Sequence, residues 1–484
     1  MNTSDHPLFH VNRRQLLKGV GAGGLAMLGS TALSQLLAAE QPGMGAAPLF
    51  PNFAPKAKRV IYLYQEGAPS QLDTFDYKPG LKDFYDKDLP DSIRGQQRLT
   101  GMTSGQKRLP VAPSIFKFDQ HANQQDGLWV SELMRHTGQM AGEMCVVKSM
   151  TTEQINHGPG ITFMQTGNQI PGRPSMGAWM SYGLGSENQN LPTFVVMISQ
   201  GRGQMQALFS HLWGAGFLPG EHQGVQFRAA ADPVLYLNDP KGMLRTDRRK
   251  MLDMIGEMNR REAERCADPQ VLARVAQYEM AYRMQASVPE LTDLKNERES
   301  TLALYGPDVK KPGTYAYNCL MARRMAERGV RFIQLYHRGW DHHGSVVKDL
   351  PLQCQDVDQA QAGLLQDLRQ RGLLDDTLVV WGGEFGRTVY CQGNLTPTQY
   401  GRDHHPRCFS MWLAGGGIQR GIVHGATDDF SYNVLTNPVT VHDLHATMLH
   451  CMGIDHSRLT FKSQGLDQKL TGVEPAKVLK EILA

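Results

Sequence analysis

The chain has 484 residues and 41% of them are apolar, so one large domain with insertions, or two domains, can bury a real core. Fifty Lys and Arg against 47 Asp and Glu leave a net charge of +3, which argues against a dedicated nucleic-acid binder, since these carry a clear basic excess. Fifty glycines and 26 prolines predict many turns and loops.

The segment Asn12-Arg13-Arg14-Gln15-Leu16-Leu17-Lys18 closely resembles a twin-arginine export signal. A weakly apolar stretch follows to about Ala39. Its Gly, Ala and Ser content favours a removable signal over a membrane anchor, so contact with a membrane is expected only if this segment stays uncleaved. Ser30-Thr31-Ala32 and Leu37-Ala38-Ala39 both suit cleavage. The expected location is the periplasm or cell envelope. Residues 40–56 read as a linker and 57–484 as one domain. Seven widely spaced cysteines form no C-x-x-C pair, so neither a disulfide framework nor a zinc-thiolate site is expected, and most should be small core residues.

Lys58 to Tyr64 is the first predicted strand. Residues 80–128 read as an irregular polar excursion. Leu128 to Ala141 is predicted as an amphipathic helix, and Met144 to Lys148 as a strand. Pro174 to Gly185 carries a helix, and Thr193 to Ser199 another strand. Residues 241–305 change character. Val271, Val275, Tyr278 and Tyr282 recur at helical spacing, which predicts a helical insertion. Its methionines (Met251, Met254, Met258, Met280 and Met284) are expected to pack between helices. A helix near 317–328, a strand Val330 to Tyr336, a helix Asp356 to Gly372 and strands Thr377 to Trp381 and Phe409 to Ala414 follow. Thr440 to Cys451 is a last helix, with Asp443 expected to cap it. Strands alternating with helices define an α/β class with a mainly parallel sheet covered on both faces.

Polar clusters follow four predicted strands: Asp73 with Asp76, His157, Asp341 with His343, and Glu384 with Asp403, His404 and His405. Right-handed crossovers bring the ends of parallel strands to one edge, so these distant clusters are expected to converge. Carboxylates mixed with imidazoles suit a divalent ion: zinc, manganese, magnesium or calcium. Asp73, Asp341, His343, Glu384, Asp403, His404 and His405 are the candidate ligands. Arg387 could bind an anionic substrate group through its planar fork, or could hold Glu384.

The chain resembles a family of exported bacterial proteins catalogued as domain of unknown function 1501. The resemblance rests on Pro69-Ser-Gln-Leu-Asp73-Thr-Phe-Asp76-Tyr-Lys78-Pro79, Asn156-His157, Pro174-Ser-Met-Gly-Ala-Trp179, Trp340-Asp341-x-His343, Gly382-Gly-Glu384-Phe-Gly-Arg387-Thr388 and Gly401-Arg-Asp403-His404. It implies an alkaline phosphatase-like, sulfatase-like α/β sandwich with a metal site at its strand ends. Asp341 and His343 stand where such phosphatases place an Asp and a His on one metal. Glu384 stands where they place an Asp, but Phe385 replaces the His that follows it. His404 or His405 would be the late ligand. His157 falls on the nucleophile position and Ile161 on that of a neighbouring arginine, so the usual hydroxyl or formylglycine precursor is absent. For His157 a role as ligand or general base is favoured over that of nucleophile.

Two functions follow as expectations. The first is an exported metal-dependent hydrolase or transferase acting on a phosphate, sulfate or related ester of a small molecule or glycan. The second is a catalytically degenerate descendant that binds a metal or an anionic glycan.

Overall fold

The computed structural model describes residues 50–122, 127–229, 233–234, 239, 242–266 and 269–484. The expected signal (1–39) and most of the expected linker (40–49) lie outside the described residues. Residues 50–57 run along the C-terminal end of the last helix, where the amides of Asn52, Lys56 and Ala57 donate to the carbonyls of Gly453 and Cys451.

In chain order the first strands of the main sheet are β1 (Arg59–Glu66), β2 (Met144–Thr151), β3 (Phe194–Gln200), β4 (Val225–Phe227), β5 (Phe332–Arg338) and β6 (Thr377–Gly382). A separate hairpin follows, β7 (Gly386–Thr396) with β8 (Gln399–His405), and the chain then gives β9 (Phe409–Ala414), β10 (Ile422–His424) and β11 (Val439–Thr440). Among the described residues, nine of these strands form one sheet in the order β10-β2-β9-β6-β1-β5-β3-β4, with β11 also beside β2. Every pairing in it is parallel except those of β9, which runs antiparallel to both β2 and β6. The β7–β8 hairpin explains the reversal. It leaves the C-terminal end of β6, stays at that edge, and returns the chain to the sheet from the same side.

The strands read as continuous apolar runs because both faces are covered. Ile61, Leu63, Ile333 and Leu335 pack against Leu320 and Met325 of one helix and Val357, Leu364 and Leu368 of another. Val60, Tyr62, Tyr64 and Phe332 pack on the opposite face against Ile161, Trp179, Leu444 and Met448. The helices concerned are α1 (His157–Thr166), α2 (Met176–Leu184), α6 (Tyr315–Glu327), α7 (Val346–Gln370) and α8 (Val441–Cys451); between α2 and α6 lie α3 (Arg245–Cys266), α4 (Pro269–Thr292) and α5 (Glu299–Tyr305). Thr440 and Asp443 form a reciprocal capping box on α8, which satisfies two backbone donors. Among the described residues no helix is long and apolar enough to cross a membrane. Six of the seven cysteines are buried, and Cys266 is exposed.

Three local expectations differ from the structure. Residues 128–141 form a short strand (Leu128–Ser131) and then short helical turns, since Trp129 and Val130 pair with Gln120 and Asp119. Helix α7 begins at Val346 rather than Asp356, and Pro351 lies in its second turn, where it forgoes the intrahelical bond to the Val347 carbonyl. Met254 and Met258 are 62% and 63% exposed, so only part of the methionine set packs inside; Met284 is buried against the core with Val288 and Leu291. The insertion is tied down by ions as well: Arg323 and Arg324 of α6 both pair with Glu297, and Arg323 also reaches Asp367 of α7.

Candidate metal centre

The site lies beyond the C-terminal ends of β1, β2, β5 and β6, closed by the β7–β8 hairpin. After β2 the chain reaches His157, the first residue of α1. After β5 it turns through Trp340, Asp341 and His343. After β6 come Glu384, Phe385 and Arg387. After β1, Gly67 adopts φ +108°, and its backbone lies so close to Trp340 and Asp341 that an added methyl would sit 2.6 Å from the Asp341 nitrogen.

His157, Asp341, His343 and His404 bring one potential ligand atom each to within 4.8 Å of one another, the one such group of three or more among the described residues. Asp341 Oδ1 is at its centre, 2.8 Å from His343 Nε2, 3.1 Å from His157 Nε2 and 3.5 Å from His404 Nε2. The outward face of each imidazole meets an oxygen. His157 Nδ1 lies 2.6 Å from Glu384 Oε1, His343 Nδ1 2.6 Å from Gln392 Oε1, and His404 Nδ1 2.6 Å from the Ile155 carbonyl. An acceptor at Nδ1 fixes the proton there and turns the Nε2 lone pair inward, the arrangement that prepares histidines for a metal. The Nε2 atoms of His157 and His404 are buried and lack an aligned hydrogen bond, despite their closeness to Asp341. Buried imidazole nitrogens that converge on a carboxylate oxygen without an aligned hydrogen bond suit a bound cation. Asp341 Oδ2 accepts from the Gln206 side chain at 2.8 Å.

The charges are set by burial and contact. Burial resists protonation of His157, but the Asp341 and Glu384 carboxylates outweigh it and push its pKa up to about 9. Burial lowers His404 to about 4, so it is neutral at pH 7. Burial also opposes ionisation of Asp341, yet the three imidazoles and Arg387 hold it well below the usual carboxylate range. A metal must therefore displace a proton from His157. Metal affinity is expected to rise about tenfold per pH unit up to about pH 9 and then level off, because the competing proton is lost above that value. Competition titrations at several pH values check this; a flat profile between pH 6 and 8 counts against it.

The structure separates the remaining sequence candidates from the group of four. Glu384 touches it through His157, while its other contacts are the Tyr64 hydroxyl at 2.9 Å and the Gly67 amide at 3.0 Å. Arg387 donates to Asp341 Oδ1 at 2.7 Å and to the carbonyls of Gly67, Ala68 and Arg402, so it does not pair with Glu384. Asp73 is fully buried against Arg402 (2.7 Å), Tyr400 (3.0 Å) and Ser70 (2.6 Å), an ion pair outside the group. Asp403 accepts from the hydroxyls of Thr100 and Thr103. His405 faces Tyr432, with Nε2 2.6 Å from its carbonyl. These last two neighbours diverge from His404 because 399–405 is a strand rather than a loop, and alternate side chains of a strand point to opposite faces. Gln206, Gln392 and the Ile155 carbonyl carried no metal-type signal in the sequence. Glu66, whose pKa is raised to about 8 by burial and by Glu384, ends β1 beside them and accepts from the Gln206 amide at 2.7 Å.

Gly401 lets the hairpin press on the site. A methyl group there would lie 1.7 Å from the His343 carbonyl oxygen. Gly401→Ala is therefore expected to displace His343, weaken metal uptake and lower stability by roughly 1–3 kcal/mol. Calorimetric metal titration and denaturant unfolding read both effects, and a variant equal to the wild type in both would refute the close contact.

The fold and site together define an α/β protein with a mainly parallel sheet and a candidate His/Asp metal centre at its C-terminal edge. Residues 57–483 match the family described as "Protein of unknown function (DUF1501)", and the chain belongs to that family. No curated protein matches it. Solved structures similar to it include a protein in the alkaline phosphatase superfamily from Vibrio parahaemolyticus (11% identity, TM-score 0.33, covering 84% of this chain and 69% of that one). A PsFucS1 sulfatase from Pseudoalteromonas sp. is similar at 12% identity and TM-score 0.32, covering 82% of this chain and 68% of that one. The alkaline phosphatase from the Antarctic bacterium TAB5 shares 10% identity at TM-score 0.29, covering 77% of this chain and 95% of that one.

Proposed function

We propose that this protein is an exported metal-dependent hydrolase or transferase acting on a phosphate, sulfate or related ester, with His157, Asp341, His343 and His404 as the metal ligands. The carrying observation is the set of three imidazoles, each held at Nδ1 by an oxygen and each turning Nε2 toward Asp341. Three imidazoles with one carboxylate suit zinc or manganese better than magnesium or calcium. A divalent ion held there would polarise an ester oxygen and acidify water.

The chain's own residues do the rest. Glu384 takes the Nδ1 hydrogen bond of His157 and is itself fixed by Tyr64 and Gly67. Gln206 holds the second oxygen of Asp341. Phe385 packs its ring beside His157 and His404, at 5.0 and 4.6 Å, and shields that flank from water. The first turn of α1 offers backbone N–H groups beside the cluster, and Gly158 is exposed there, which suits an anionic ester group. His157 serves as ligand rather than nucleophile, since both its nitrogens face carboxylates. Export to the periplasm or cell envelope is part of the proposal and is supported by Asn12 to Lys18.

The rival reading is a metal- or anionic-glycan-binding protein without turnover, favoured by the histidine at the expected nucleophile position. Elemental analysis of protein purified without chelator, followed by aryl phosphate mono- and diesters and aryl sulfates, separates the two. Bound metal with turnover abolished in His404→Ala supports the enzyme. Bound metal with no turnover on any ester supports the rival. Absence of metal, even after reconstitution, sinks the enzyme and the metal-binding form of the rival, and leaves glycan binding alone.

A further inference from the structure

We infer that the centre takes one ion, and that the Arg387 guanidinium stands in the place of a second cation. The inference rests on reading the four residues as a metal site. Arg387 Nη2 lies 2.7 Å from Asp341 Oδ1, the same oxygen that the three imidazoles surround. A carboxylate oxygen shared between two metal ions would have a second ion on this side; here it has a fixed organic cation. Arg387 is 1% exposed and its guanidinium is held on every nitrogen. Its Nε donates to the Ala68 carbonyl at 3.0 Å and its Nη1 to that of Arg402 at 3.2 Å, and Nη2 also reaches the Gly67 carbonyl. The Arg387 backbone is clamped as well, with its N–H on Gln71 Oε1 and its carbonyl accepting from Gln71 Nε2, both at 2.8 Å.

A second divalent ion would also need donors of its own, and the nearby acids are committed. Glu384 serves His157, Tyr64 and Gly67; Glu66 accepts from the backbone amides of Gln206 and Gly339; Asp73 serves Arg402; Asp403 serves two threonines. The flank against His157 and His404 is the ring of Phe385, which offers no lone pair. Arginine keeps its charge at every accessible pH, so this cation is never lost to dilution, chelation or acid. The two charges of the ion and the fixed one of Arg387 thus share the carboxylates of Asp341 and Glu384, beside the first turn of α1.

Full-length protein is stripped with chelator, titrated with Zn²⁺ or Mn²⁺ by calorimetry, and analysed for bound metal after gel filtration. One tightly bound ion per chain, in one step, is expected. Two tightly bound ions overturn the inference but leave the metal reading intact, whereas none overturns the metal reading itself. Arg387→Gln removes a charge that repels the ion, so its metal affinity is expected to rise about tenfold or more, whereas Arg387→Lys, which keeps the charge but not the fork, should rise less. Weaker or unchanged binding by a folded Arg387→Gln protein overturns the inference, because it would mean that Arg387 only orients Asp341. If the glutamine variant does not fold, the wild-type stoichiometry decides alone.

Discussion

Asp341→Asn is expected to lose metal uptake, with affinity lowered by more than about a hundredfold, because it removes the one anionic donor at the centre of the four. Glu384→Gln acts only through His157 and should cost less, about 10- to 100-fold. The gap between the two variants separates a ligand from a group that orients one. Asp341 also compensates Arg387 and protonated His157 in the ion-free protein. Its loss leaves buried cations without their partner, so stability of the ion-free protein should fall by about 3–5 kcal/mol. Chelator-stripped samples in denaturant unfolding measure this second effect. Equal metal affinity in Asp341→Asn and wild type would remove Asp341 from the centre.

The second large effect is expected away from the metal. Arg402 and Asp73 are both 0% exposed, and Arg402 Nε meets Asp73 Oδ2 at 2.7 Å. Arg402→Ala strands a buried carboxylate and should cost about 3–5 kcal/mol, with Asp73→Ala similar in size. Replacing both with apolar residues of like volume should recover much of the loss, since neither charge is then buried alone. Metal stoichiometry should stay unchanged in Asp73→Ala. If instead that variant loses its metal while its unfolding curve stays in place, Asp73 is a ligand and the ion-pair account is wrong.

This contrast shows what the sequence could reveal. Asp73, Asp341 and Glu384 all follow apolar strands, and the parallel sheet brings all three to one edge. Which carboxylate faces a metal and which faces an arginine depends on side-chain direction over a few residues, and a glycine turn hides that direction. The Asp403-His404-His405 triplet makes the point most plainly. As a loop it offers three equivalent ligands, but on β8 it offers one, because its side chains alternate. The strand was obscured by its partner β7, whose apolar residues give way to a polar run beyond Cys391. The sheet itself was legible because its strands are doubly covered and therefore apolar throughout. The outer contacts of the histidines were not, since an amide or a backbone carbonyl has no distinctive residue type.

The four proposed ligands reach from residue 157 to residue 404, and the hairpin that supplies the last of them is made after most of the sheet. No short stretch of chain contains even three of them. A growing polypeptide consequently cannot capture an ion in a preformed pocket, and the cage comes into being only when distant strands have aligned. Loading then acts as a lock on a completed fold rather than as a seed for it, and the degree of occupancy reports how much of the population has finished folding.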